Sequence, residues 1–188
     1  SHYKSKGYDL IDATAAPGNK TTHLASLSAQ NVNTVFACER DEKRMKLLTS
    51  RTAKIAPEKC TVVHQDYLTL DPAEGTYRKV RGILLDPSCS GSGIVSQPDR
   101  VDSGESEDSK GRLELLSNFQ LLALVHSMKF DQVERIVYST CSVNNEENEE
   151  VVGKALLEVN GGIEEEGEKW VLVPPPGLSG WERRGRVG

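Results

Sequence analysis

The chain has 188 residues, 37% of them apolar and 27% charged, with a formal net charge of −5. That is about the size of one domain, with enough apolar material for one core under a well-solvated surface. No apolar run approaches the ~18 residues of a membrane span and no charged-then-apolar start resembles a signal peptide, so a soluble, intracellular protein with no membrane partner is expected; the acidic balance argues against a dedicated nucleic-acid binder, which is usually basic.

Taken in chain order, 8–13 (YDLIDA) is a short apolar run that predicts a strand ending at Asp12 and a small-residue turn. A helix is predicted over 20–27 after Pro17-Gly18, then a strand over 34–38 (TVFAC) ending at Glu39. Residues 41–55 read as a helix with Asp41 as N-cap and Pro57 as its stop. Strands follow at 61–64, ending at Asp66, and at 81–86 (RGILLD). A helix is predicted over 113–128, a strand over 135–139 (RIVYS), a helix over 145–159 whose acidic first turn suits the helix dipole, and a sixth strand at 170–173. The polar stretch 96–110 reads as a flexible surface insertion, and 174–188 as an irregular tail. Strands alternating with helices imply an α/β fold: a doubly wound, mostly parallel sheet covered on both faces, in one domain over 1–188.

In such sheets the ligand sits beyond the carboxyl ends of the strands. Asp12, Glu39, Asp66, Asp86 and Cys141 all fall at those ends. The first turn, ATAAPGNKTT, is neither G-x-G-x-x-G nor a phosphate-cradling G-x-x-x-x-G-K-[ST]. It is a turn of small residues (Ala15, Ala16, Gly18) that lets a ligand approach the backbone, with Lys20 at the helix start. Glu39 can accept from both hydroxyls of a ribose, and Asp66 stands where an adenine amino group would be received. Two such carboxylates without a phosphate cradle favour S-adenosylmethionine.

Cysteines stand at 38, 60, 89 and 141, with no C-x-x-C pair and no clustering with His2, His23, His64 or His126. Neither a zinc site nor a disulfide framework is expected, and no metal. Each thiol is then core filler, the ordinary role of a free cysteine, or chemistry. Cys89 follows the fourth strand in LLDPSCSGSG and Cys141 follows the fifth in YSTCS. In a doubly wound sheet these loops would be neighbours at the switch point and would bring both thiols into one cleft beside Asp86. Two cysteines and an acid beside a methyl donor suggest covalent catalysis on a pyrimidine. A thiolate adding at carbon 6 of cytosine makes carbon 5 an enamine carbon able to take a methyl group. The residues alone do not say which cysteine attacks.

The stretches DATAAPGNKT, CERDEKR, LLDPSCSGSG and YSTCSVNNEENE, spread over residues 8–159, resemble the Sun-domain family of RNA (cytosine-5) methyltransferases. The resemblance implies a Rossmann-like methyltransferase core with S-adenosylmethionine as cofactor. It implies that Thr14, Ala15, Ala16, Pro17, Gly18, Asn19 and Lys20 wrap the methionine part of the donor, that Glu39 binds its ribose, that Arg44 is the arginine following that acid in the family pattern, and that Asp66 sits near the adenine. Asp86 would lie beside donor and base and hold the cytosine ring nitrogen. Cys141 would be the nucleophile and Cys89 the thiol associated with product release. Most relatives have proline directly before the first-loop cysteine; here Ser88 intervenes, which resembles a eukaryotic subfamily acting on large-subunit ribosomal RNA. That resemblance implies an RNA partner, a nucleolar protein, and a monomer. The family's upstream basic segment and final strand pair have no counterpart in the sequence, which reads as a fragment or as pieces of a longer protein. The missing segment would carry much of the RNA contact and so reconcile the charge of −5 with an RNA substrate. Within the chain, Lys4, Lys6, Arg78, Lys79, Arg81, Arg183, Arg184 and Arg186 are the candidate phosphate contacts.

Three alternatives make different demands. A non-catalytic RNA-binding or ribosome-assembly module would not need Cys141. An exocyclic-amine methyltransferase would show two prolines and an aromatic after the acid rather than Asp86-Pro87-Ser88-Cys89. A DNA cytosine methyltransferase would use the fourth-strand cysteine, Cys89.

Overall fold

The computed structural model describes residues 7–27, 31–94, 107–161, 167–175 and 177. The chain divides into two compact units, Ser1–Ser88 with Leu122–Thr140, and Cys89–Leu121 with Cys141–Gly188.

The first unit is a five-stranded sheet. Its strands are β1 (Tyr8–Asp12), β2 (Val32–Cys38), β3 (Cys60–Val63), β4 (Val80–Leu85) and β5 (Arg135–Tyr138), in the order β3-β2-β1-β4-β5. Every neighbouring pair is parallel. The order reverses between β1 and β4, which makes this the topological switch point. The cysteine-bearing loops follow β4 and β5, which are neighbours as expected, whereas the order reverses between β1 and β4 and not between these two strands. The doubly wound, mostly parallel reading holds, and every pairing among the described strands is parallel.

Why these segments are strands follows from burial. Parallel strands covered on both faces need apolar residues without alternation. Ile11, Val35, Ala37, Val80 and Leu85 are each less than 1% exposed. β5 lies at the edge, and its Val137 is 60% exposed. Helix α1 (Asn19–Leu27) follows β1 and α2 (Glu42–Ile55) follows β2. Asp41 caps α2 as expected, its side chain accepting from the Arg44 N–H at 2.8 Å. Leu48 of α2 packs on Ala15, Ala16 and Ala37, so the helix seats the first turn against the end of β2.

Helix α3 (Glu107–Ser127) begins six residues before the expected 113. Residues 107–110, read as part of a flexible insertion, are therefore helical; 96–106 lie outside the described residues. The end of α3 carries the buried Ala123, Leu124 and Val125. Tyr67, in a 3-10 turn after β3, hydrogen-bonds Ser127 Oγ at 2.8 Å and stacks at 6.3 Å on Phe130.

In the second unit the helix predicted over 145–159 is broken. A 3-10 turn spans Asn145–Glu147, Asn148 adopts φ −120° and ψ −95°, and α4 runs Glu149–Asn160. The Asn148 side chain donates to the carbonyls of Ser142 (3.1 Å) and Asn144 (2.8 Å), competing with helical bonding at this point. The expected strand at 170–173 does not form. The backbone N–H and carbonyl of Trp170 pair with the side-chain amide of Asn160, at 3.0 and 2.8 Å, in place of a ladder, and Val171, Leu172 and Val173 stay exposed.

Candidate active site

The turn after β1 is built to come close to whatever lies above it. Ala13, Ala15 and Ala16 are buried, and Ala15 N–H donates to the Cys38 carbonyl at 3.0 Å, tying the turn to β2. Gly18 closes it with φ +99°, and a Cβ there would stand 3.0 Å from Leu48 Cδ1. Asp12, 1% exposed, accepts from Thr21 Oγ1 at 2.7 Å, which locks strand end to helix start. Burial pushes its carboxyl up to about 6, against the bonds from Thr21 and the Thr14 backbone. Thr14 Oγ1 is buried with no hydrogen-bond partner among the described residues. A buried hydroxyl without a partner is uncommon in a folded protein.

Glu39 is 7% exposed at the end of β2. One oxygen accepts from the Asp41 N–H at 2.9 Å, and Arg44 Nη2 stands 3.4 Å from the other. The Arg44 guanidinium also donates to the Ala16 carbonyl at 2.9 Å, so it straps the turn to the Glu39 carboxylate. Asp66 caps its 3-10 turn through Leu68 N–H (3.1 Å) and pairs with Arg40 (3.0 Å). Asp86, just past β4, is held at both oxygens: Lys20 Nζ at 2.5 Å and Ser139 Oγ at 2.7 Å. One lysine thus links the first turn to the end of β4, and a serine adds the end of β5.

In the second unit the two thiols stand together: Cys89 Sγ and Cys141 Sγ are 3.1 Å apart, with Cys141 exposed. That separation suits an S–H···S contact and exceeds the ~2.05 Å of a disulfide. Gly93 N–H donates to the Cys141 carbonyl at 3.0 Å, and a Cβ on Gly93 would stand 2.9 Å from that oxygen, so only glycine fits against the second loop here. Beneath them Glu147 is 0% exposed. It accepts from the Ser90 N–H (2.9 Å), Ser90 Oγ (2.5 Å), Gln120 Nε2 (3.0 Å) and Asn144 Nδ2 (3.3 Å). Burial alone would raise its carboxyl, but the hydrogen bonds from Ser142, Ser90 and Gln120 outweigh it and hold Glu147 below the usual range.

The family described as 16S rRNA methyltransferase RsmB/F matches residues 4–165. The chain belongs to the RsmB/F methyltransferase family. It is 44% identical over 155 residues to a mouse 28S rRNA (cytosine-C(5))-methyltransferase, a match that covers 82% of this chain and 33% of the mouse protein. It is 46% identical over 151 residues to the 25S rRNA (cytosine-C(5))-methyltransferase rcm1 of Schizosaccharomyces pombe, covering 79% of this chain and 32% of that one. The chain thus spans about a third of the length of these relatives. Among solved structures it is similar to NSun6 from Pyrococcus horikoshii with SFG, at TM-score 0.61 and 25% identity, covering 91% of this chain and 41% of that one.

As a member of the RsmB/F family, the chain places the sequence-derived residues as follows. Residues 14–20, Glu39, Arg44, Asp66 and Asp86 all stand at the carboxyl edge of the sheet unit. Cys89 and Cys141 meet in the second unit. The candidate phosphate contacts fare differently. Arg78 and Lys79 precede β4 and Arg81 is its second residue, ~13 Å along the strand from its carboxyl end. Arg81 is moreover committed to the Gln132 carbonyl and side-chain oxygen. Lys4, Lys6, Arg183, Arg184 and Arg186 lie outside the described residues. No helix among the described residues is long and apolar enough to cross a membrane, and no cluster of three or more metal-binding side chains occurs among them.

Sequence reasoning missed Ser139, which orients Asp86, and the carboxylate hub on Glu147. One signal was available: Gln120 is an amide in a largely apolar helical stretch, and a polar group so placed must find a partner. Glu147 itself sat among five other acids or amides in NNEENE, where helix-dipole chemistry accounts for it equally well.

Proposed function

We propose that the chain is the catalytic core of an S-adenosylmethionine-dependent RNA (cytosine-5) methyltransferase, acting on large-subunit ribosomal RNA through a covalent Cys141 adduct. The observation that carries this reading is the pair of thiols 3.1 Å apart on the loops after β4 and β5. No amine- or oxygen-directed methyl transfer requires such a pair. The mouse and fission-yeast relatives, both named for cytosine-C(5) methylation of large-subunit rRNA, support the substrate; a nucleolar location would follow from that substrate.

The donor fits the first turn. Thr14 offers an orphaned buried hydroxyl, Glu39 keeps acceptor capacity beyond its Asp41 bond, and Gly18 keeps the backbone bare. When bound, S-adenosylmethionine supplies an electrophilic methyl group. Residues 14–20 hold its methionine part, Glu39 its ribose and Asp66 its adenine edge, while Arg44 acts through the turn it straps.

Cys141, as thiolate, attacks carbon 6 of the cytosine, and electrons move into the ring toward its nitrogen. Asp86 holds a proton at that nitrogen, and Lys20 and Ser139 fix the carboxyl in place. Carbon 5, now an enamine carbon, takes the methyl group. A solvent water then takes the carbon 5 proton, the electrons of that C–H bond re-form the carbon 5–carbon 6 double bond, and the carbon 6–sulfur bond breaks to return Cys141 as thiolate. Cys89, within S–H···S reach, stabilises that departing thiolate. The target base must leave its stack to reach the thiol, at a cost of a few kcal/mol that is smaller in a loop.

RNA carrying 5-fluorocytosine tests the cysteine roles, because fluorine at carbon 5 cannot leave as a proton does and the adduct persists. Cys141→Ala is expected to abolish the adduct and Cys89→Ala to retain it. Retention by Cys141→Ala with loss in Cys89→Ala would reverse the assignment.

A further inference from the structure

The residues that touch the reacting groups do not explain why a fully buried carboxylate sits under the two cysteine loops. Burying an acid is costly unless its oxygens are well paired. Glu147 receives four donors from three residues, Ser90, Gln120 and Asn144, and a further hydroxyl bond from Ser142. Ser90 is the residue after Cys89, and Ser142 the residue after Cys141. The two serine hydroxyls stand 3.2 Å apart, Ser92 Oγ is 3.1 Å from Ser142 Oγ, and Asn144 Nδ2 donates to Ser90 Oγ at 3.1 Å. The second loop returns the contact through its backbone, with Val143 N–H on Ser92 Oγ (3.0 Å), and Asn144 N–H on Ser142 Oγ (2.9 Å) fixes that serine within its own loop. A hydroxyl carries one proton, so a ring of serines stays in register only if something strongly accepting orders it. Glu147 is the acceptor-only group at its centre.

We propose that Glu147 is a positioning residue: its buried carboxylate, bonded to the neighbours of both cysteines, sets the separation and orientation of Cys89 and Cys141. The reach of this positioning into catalysis rests on the cysteine roles assigned above; the positioning itself does not. Removing the charge leaves the Ser90, Gln120 and Asn144 donors competing for a weaker acceptor, and the two loops lose their shared anchor. A misplacement of about 1 Å at reacting atoms costs on the order of 10²-fold in rate.

The test compares Glu147→Gln and Ser142→Ala with Glu150→Gln. Glu150 is an acid three residues on, in the first turn of α4, whose partners are Lys154 and Asn145. In the first arm, with no RNA or methyl donor, diamide oxidises the two thiols to a disulfide, taking up their two electrons and two protons, and peptide mapping follows the Cys89–Cys141 bond. Glu147→Gln is expected to slow its formation at least about tenfold and Ser142→Ala by a smaller factor, with Glu150→Gln unchanged. A Glu147→Gln chain with a native circular dichroism spectrum and wild-type oxidation rate would overturn the proposal. If that variant does not fold, a wild-type rate in Ser142→Ala overturns it. In the second arm, Glu147→Gln lowers kcat for methyl transfer about 10²-fold and leaves KM for the donor unchanged. Slowed oxidation with full methyl transfer would refute the catalytic half alone. Slowed oxidation when the wild type transfers no methyl group supports the positioning and places the failure in the functional reading.

Discussion

Lys20, from the helix after β1, and Ser139, just past β5, occupy one oxygen each of Asp86, so residues following two other strands orient it. Asp66 spends its oxygens on Arg40 and a turn cap, and Glu39 on its own loop and Arg44. Asp86→Asn keeps the shape but loses the attraction for Lys20 and the ability to hold a proton at the ring nitrogen. It is expected to lower kcat by about 10²-fold or more, with donor affinity, read by calorimetry, nearly unchanged; equal losses in both would instead make Asp86 a donor ligand. Residue type and strand-end position made Asp86, Cys89 and Cys141 legible in the sequence, since chemistry-bearing side chains at successive strand ends have few structural reasons to be there. Ser139 and Glu147 were not legible. A serine or an acid in a polar loop has many ordinary explanations, and only the tertiary arrangement shows which oxygen it serves.

At the scale of the elements, the sequence pattern located β1 to β5 and α1 to α3 because each carries a period and a boundary signal. It failed where a side chain competes with the backbone. Asn148 interrupts the predicted helix by taking two carbonyls, and Asn160 removes Trp170 from any ladder. Two element-level outcomes follow. Asp41→Ala removes the cap of α2 and should cost about 1 kcal/mol in a urea titration. Gly18→Ala puts a side chain on a backbone at φ +99° and against Leu48, at a cost of about 1–3 kcal/mol. Because that turn carries the residues proposed to hold the donor, Gly18→Ala should also weaken S-adenosylmethionine binding, whereas Asp41→Ala should leave it within about twofold. Equal effects on binding would mean that the turn tolerates distortion and holds the donor less closely than proposed.

For the molecule as a whole, two buried carboxylates pull its acid stability in opposite directions. Asp12, pushed by burial from 3.8 up to about 6, binds more protons folded than unfolded between those values. Its contribution therefore falls as pH rises through that window, by about 3 kcal/mol at most. Glu147 lies below its ordinary 4.5, so its contribution is present above 4.5 and is lost as pH falls through its folded value. Thermal melts of Asp12→Asn should accordingly show stability gained relative to wild type as pH rises from about 4 to 6; a difference that does not change with pH would show that Asp12 is ionised throughout.

The proposed reaction is methylation of carbon 5 of cytosine through Cys141. The most direct measurement is transfer of labelled methyl from S-adenosylmethionine to large-subunit ribosomal RNA that lacks its own cytosine-5 methylation, with Cys141→Ala beside the wild type. Label recovered as 5-methylcytosine and abolished in Cys141→Ala is the predicted result. Label on another atom, or 5-methylcytosine formed equally well without Cys141, would contradict it.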